Sequence, residues 1–164
     1  MIFVTVGTHE QSFDRLLKEV DNLVKEGTIK ENVIMQTGFS EYQPKNCTYY
    51  NFLSFEKMNQ YIEDARIVIT HGGPASFLAV IQHNKIPIVV PREKKYHEHI
   101  NDHQVDFVKI VAEKMNNIVP IYDISKLKNA ILTYDNYLDP SRNNLSNNAK
   151  FNKDFIKLVD KMFE

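Results

Sequence analysis

Apolar positions along this chain follow two rhythms. Short, nearly unbroken runs rich in β-branched residues, at 2–6, 33–36, the weaker 48–52, 67–70, 86–90 and 118–121, predict strands. Between them the spacing lengthens. Phe13, Leu16, Leu17, Val20 and Val24 recur at helical intervals and stop at Gly27. Helical patterns return over 55–64, 75–83, 99–111 and 124–132, with Ile100, Phe107, Val108 and Val111 on one face of the third. A last amphipathic helix uses Phe151, Phe155, Leu158, Val159 and Met162. It follows an Asn-rich stretch, 135–148, that reads as a loop or linker. Apolar strands alternating with helices predict an α/β fold whose parallel sheet is covered on both faces.

Such sheets bind ligands beyond the carboxyl ends of their strands. Two glycine-containing segments are expected there. His71-Gly72-Gly73-Pro74-Ala75-Ser76 follows a strand and opens a helix. Its glycines admit close approach of a ligand, and the helix start offers unpaired N–H groups to an anion. Ser76 adds a hydroxyl and His71 an imidazole, which together read as a phosphate or diphosphate cradle. The competing reading is a plain turn, with Pro74 starting the helix and Ser76 bonding local backbone. Neither G-x-G-x-x-G nor G-x-x-x-x-G-K-[ST] is present, which disfavours a dinucleotide dehydrogenase or a P-loop NTPase. At the end of the first strand, Gly7-Thr8-His9-Glu10 brings a hydroxyl and two proton acceptors. A helix cap followed by solvated charge is the alternative there.

Length and charge narrow the class. A chain of 164 residues fits one domain, and 20 basic against 21 acidic residues leave a net charge of −1. Nothing there points to nucleic acid. With Cys47 alone no internal disulfide forms, and a reducing compartment fits. Met1 runs straight into the first strand without a leader-like start, and no apolar run approaches the ~20 residues that span a bilayer. The expectation is a cytoplasmic domain whose membrane contact is peripheral. The most polar stretch, 97–104, places His99 and His103 four apart, on one face of the predicted helix. Without H-E-x-x-H or a third defined ligand this is a weak metal signal, and no metal or other cofactor is expected. Asp102 and Gln104 suit the hydroxyls of a sugar.

Taken in order, these motifs resemble a family. Val4-Thr5-Val6-Gly7-Thr8 and Ser12-Phe13-Asp14-Arg15-Leu16-Leu17 resemble the start of the catalytic subunit of the two-part N-acetylglucosaminyltransferase of N-glycan assembly. His71–Ser76, then Pro87-Ile88-Val89-Val90-Pro91, then Asp102-His103-Gln104 look like the nucleotide-sugar half of GT-B glycosyltransferases, the family 28 C-terminal domain. Val-Gly-Thr-His-Glu and His-Gly-Gly-Pro-Ala-Ser are most similar to the bacterial branch that builds capsular or exopolysaccharide repeat units.

The resemblance implies a Rossmann-like doubly wound sheet forming a single half of a GT-B enzyme, over 1–134, with the loop and last helix, 135–164, packing on it or on a partner. It implies the catalytic subunit of an inverting transferase, moving galactose or N-acetylglucosamine from a UDP-sugar to a polyprenyl-diphosphate-linked saccharide beside a membrane-anchored, acceptor-binding subunit. Gly7, Thr8, His71, Gly72, Gly73, Pro74, Ala75 and Ser76 then face the donor phosphates. Asp102, His103 and Gln104 hold its sugar. His9, then Glu10, are the candidate bases, unless the base lies in the partner. Many relatives place a ribose-binding Glu three residues after the Ser. Here that position is Ala79, so Glu98 or Glu93 is expected to take the ribose. A non-catalytic nucleotide-sugar-binding companion, or a metal-dependent hydrolase built on His97, His99 and His103, are the alternatives.

Overall fold

The computed structural model describes residues 1–138 and 148–163. Six strands, β1 (Ile2–Thr5), β2 (Val33–Gln36), β3 (Thr48–Tyr50), β4 (Ile67–His71), β5 (Ile88–Val90) and β6 (Val119–Pro120), form one sheet. Every pairing is parallel, in the order β3-β2-β1-β4-β5-β6. That is the doubly wound order, with β1 and β4 side by side where the winding reverses.

Strands that are apolar throughout still sort their side chains with a period of two. Ile2, Val4, Val33, Met35, Ile67 and Ile69 pack with α1 (Asp14–Lys25) and α5 (Leu127–Leu132). Phe3, Ile34 and Val68 turn the other way, toward α2 (Phe55–Asp64) and α3 (Pro74–Gln82). Val89 joins α3, α4 (His103–Met115) and α6 (Asn148–Phe163) on that second face. Helices on both faces leave only the strand ends open to a ligand.

The expected elements are present, several with ends shifted by one or two residues, β3 stopping at Tyr50 rather than 52 among them, and three differences have a clear local cause or consequence. The fifth strand starts at Ile88 rather than 86, because Pro87 has no N–H to donate to the ladder and offers only its carbonyl, to Val119. The span 124–132 is a 3-10 turn, Ile124–Lys126, before α5. The helix expected over 99–111 begins at His103 and runs to Met115. Asn101 accepts the His103 N–H through Oδ1 at 3.0 Å and so marks the helix start. Ile100 therefore stands 70% exposed instead of facing the core. His99 lies in the preceding loop, so the predicted His99/His103 pair on one helix face does not form.

Of the last helix's apolar face, Phe155 and Leu158 are buried against Phe77 and Phe107 of this same domain. Those two positions are thus covered by the chain's own core. The side chains of Phe151, Val159 and Met162 lie outside the described residues, as does 139–147 of the predicted loop.

Candidate functional site

The loops after β1 and β4 leave the sheet at its switch point, and a cleft of about 610 Å³ opens beside them. Gly7, Thr8 and His9 from the first loop and His71, Gly73 and Ser76 from the second give it polar lining. Phe52, Leu53 and Met58, from the β3–α2 loop and α2, give it apolar lining. A second cavity of about 260 Å³ includes Gly72, His99, His103 and Gln104 and shares Pro74 with the first. The Gly72-Gly73-Pro74 segment therefore separates the two spaces.

Beneath the cleft the strand ends are stitched together. Thr5 donates through Oγ1 to Gln36 Oε1 at 2.6 Å, and the Gln36 amide donates to the carbonyls of Gly7 (3.2 Å) and Asn51 (2.9 Å). Gly7 sits at φ +78°, a left-handed conformation that glycine adopts freely. A Cβ there, or at Gly73, would fall on the His71 imidazole. The two glycines are what let both loops close on that ring.

The His71 ring is fixed in protonation and in tautomer. The Gly73 N–H donates to Nδ1 at 3.0 Å, so Nδ1 carries the lone pair and Nε2 the proton. Nε2 then donates to Ser76 Oγ at 2.7 Å. Burial, helped by the positive charge of Arg92, pushes the His71 pKa down to about 3, so the ring is neutral. The Ser76 hydroxyl, having accepted from His71, keeps its own proton to give away. Pro74 is the first residue of α3, where its missing N–H costs nothing, and no side chain caps this helix start. The Ser76 hydroxyl and the positive end of α3 thus meet at the cleft, an arrangement suited to an anion, while the Gly72, Gly73 and Ser76 N–H groups are bonded to Gln104, His71 Nδ1 and the Gly73 carbonyl. His71 serves it by orienting Ser76, since both of its nitrogens are already bonded.

Several of the other expected residues are in different employment. Glu98 is buried, and its carboxylate accepts from Arg15 Nε and Nη2 (2.8 and 2.9 Å) and from the Glu93 N–H. It is therefore not free for a ribose. Glu93 itself lies 3.7 Å from Arg15 and 3.6 Å from Lys95. Gln104 accepts the N–H groups of Gly72 and Arg92 through one oxygen, each at 3.0 Å, and so ties the glycine loop to the loop after β5. Asp102 is exposed and accepts the Lys94 N–H at 2.8 Å, while His103 is exposed at the head of α4. Thr8 and Glu10 are exposed in the loop after β1, and of the two Thr8 lines the larger cleft. No group of three His, Cys, Asp or Glu side chains among the described residues is placed to hold a metal.

His9 and His99, far apart in sequence, stack with ring centroids 4.6 Å apart at 20°. Burial, with His9 and Arg92 nearby, lowers the His99 pKa. His9 Nε2 meets Gln11 Oε1 at 2.8 Å, and the Gln11 amide donates to the His97 carbonyl at 3.3 Å. Behind them lies Arg92, fully buried, which sequence reading did not single out. Its guanidinium donates to the carbonyls of Val6 (2.7 Å), Gln11 (2.7 Å) and Glu98 (2.9 Å), with its charge 5.0 Å over the Phe13 ring. Gln11 and Gln36 were missed as well. Their only sequence signal is an amide within two residues of His9 and at a strand end.

The Glycosyltransferase family 28 C-terminal domain matches residues 1–159 of the chain. No curated protein gives a significant match. Among solved structures the fold is similar to the glycosyltransferase SnogD from Streptomyces nogalater, with a TM-score of 0.60 at 14% identity. That likeness covers 98% of this chain and 43% of SnogD.

Proposed function

Since the chain belongs to the glycosyltransferase family 28 C-terminal domain family, we propose that it is the donor-binding, catalytic subunit of an inverting glycosyltransferase. It takes a UDP-sugar, galactose or N-acetylglucosamine, and passes the sugar to a polyprenyl-diphosphate-linked saccharide in capsular or exopolysaccharide synthesis. The observation that carries this reading is the uncapped start of α3 beside a Ser76 hydroxyl released by His71. Both face the charge that develops on a leaving diphosphate. The apolar residues Leu53 and Met58 suit a nucleobase, and the smaller cavity lined by Asn101, His103 and Gln104 suits a sugar.

In one displacement the acceptor oxygen bonds the anomeric carbon, and the bond from that carbon to the diphosphate oxygen breaks. The electron pair leaves with the diphosphate, and the hydroxyl proton passes to His9, with Glu10 as the second candidate. A membrane-anchored partner supplies the acceptor half and holds this chain at the inner face of the membrane. That division rests on the resemblance of Val4–Thr8 and Ser12–Leu17 to the catalytic subunit of a two-part transferase.

Calorimetric titration with UDP and with ADP, chelator present, tests the donor site. UDP is expected to bind in preference to ADP. His71→Ala should weaken UDP about tenfold, as expected when a hydrogen bond to a charged group loses its orientation. His9→Ala should spare UDP affinity and lower turnover. Equal UDP affinity in wild type and His71→Ala would sink the phosphate assignment, and binding seen only with added divalent metal would replace it with a metal-dependent site.

A further inference from the structure

We propose that Gln11 is a positioning residue that fixes the tautomer of His9 and so makes Nδ1 the atom that receives the acceptor's proton. This rests on the reading of His9 as the base.

The polarity of the Gln11 amide is set from its far side. The His97 carbonyl only accepts, so the Gln11 NH₂ must face it, as the 3.3 Å contact has it. The amide oxygen is then turned toward His9 Nε2 at 2.8 Å. That oxygen also only accepts, so Nε2 carries the proton. A neutral imidazole has one N–H, which leaves its lone pair on Nδ1.

The strap is anchored at both ends. The Gln11 carbonyl accepts from the buried Arg92 guanidinium at 2.7 Å, and His97 is held at φ +58° with its N–H donated to Lys94 at 2.9 Å. The stacked His99 ring covers one face of His9. Backbone, ring edge and ring face are therefore all constrained, and His9 lines the larger cleft.

Apart from Glu10, the groups around the ring are cationic or neutral. Arg92 and His71 come from the strand ends, and His99 and His103 from the segment after β5. Glu10 is exposed beside it, while Glu98 is taken by Arg15. An amide partner in this setting orients the ring without holding a proton on it, as a carboxylate would. During transfer the acceptor O–H bond breaks and its electron pair becomes the new bond to the anomeric carbon. The proton goes to Nδ1. Nε2–H stays on Gln11 Oε1, in a bond that shortens as the ring becomes charged.

Long-range proton–nitrogen NMR on the histidine-labelled full chain reads the tautomer directly, with His9→Ala assigning the signal. Wild type is expected as the single Nε2–H form, and Gln11→Ala as a mixture of both forms. In the assembled enzyme Gln11→Ala should lower kcat about tenfold, a fraction of what a general base supplies, with UDP affinity unchanged. Gln11→Glu keeps an acceptor, so it should keep the tautomer and move the acid limb of the kcat profile to higher pH. A wild-type Nδ1–H form, or an unchanged tautomer in Gln11→Ala, overturns the role of Gln11 and leaves His9 free to be the base. A His9→Ala chain with wild-type turnover overturns the base assignment instead, whatever the tautomer.

Discussion

At the scale of single residues, His71 and Arg92 are two ionisable groups kept inside the protein for different reasons. Arg92 stays charged because three carbonyls and the Phe13 ring replace water around it. His71 stays neutral because burial and that same guanidinium oppose its protonation, with a folded pKa of about 3. The unfolded chain binds this proton near the ordinary histidine value of ~6.5. Below that pH the unfolded state gains a proton that the folded state refuses, so stability is lost as pH falls from ~6.5 toward 3. The contribution reaches at most ~1.4 kcal/mol per pH unit. His71→Asn should remove it. Urea unfolding of both forms between pH 7 and 5 is expected to show a steeper loss in wild type; parallel curves would mean that His71 is not kept neutral.

At the scale of elements, α6 shows how a helix of uncertain allegiance is decided. Phe155 meets Phe77 and Phe107 edge-on, with centroids 6.0 and 5.8 Å away, and Leu158 is buried beside them. Emptying that aromatic cluster should be costly: Phe155→Ala is expected to lower unfolding stability by about 3 kcal/mol. A loss under 1 kcal/mol by urea denaturation would place the helix off the domain.

The strands, in contrast, were readable from the start, since residues such as Ile67, Val68 and Ile69 are apolar on both faces and leave little alternative. The head of α4 was not. Ile100 completes a helical apolar pattern by coincidence, and the Asn101 side-chain turn onto the His103 N–H is a local bond with no periodic signature. The glycine loop was legible for a different reason: a Gly pair followed by Pro after an apolar strand is a local feature. The wiring behind it is not local. Arg92 reaches residues 81 and 86 positions away, and Glu98 meets Arg15 83 positions away. Only the topology brings those pairs together, which is why Glu98 looked free for a ribose when read in sequence alone.

At the scale of the whole molecule, the doubly wound order gathers every candidate group at one end of the sheet. The loops after β1, β4 and β5 converge there, while the amino ends of the strands carry other business, such as the Met1 amino group on Glu31 and Arg66 on the same carboxylate. A ligand at that end should therefore leave a one-sided footprint. At a hundred times its dissociation constant, bound UDP stabilises the folded state by about 2.7 kcal/mol. Core amides that exchange only by global unfolding will all slow together and say nothing about place. The fast loop amides do discriminate. With UDP, hydrogen exchange should slow at 7–13, at 72–77 and across 98–104, and stay unchanged at 26–32. Slowing at 26–32 in place of 72–77 would move the ligand to the opposite end of the sheet. It would then leave the hydroxyl of Ser76, and the histidine that orients it, without a substrate to serve.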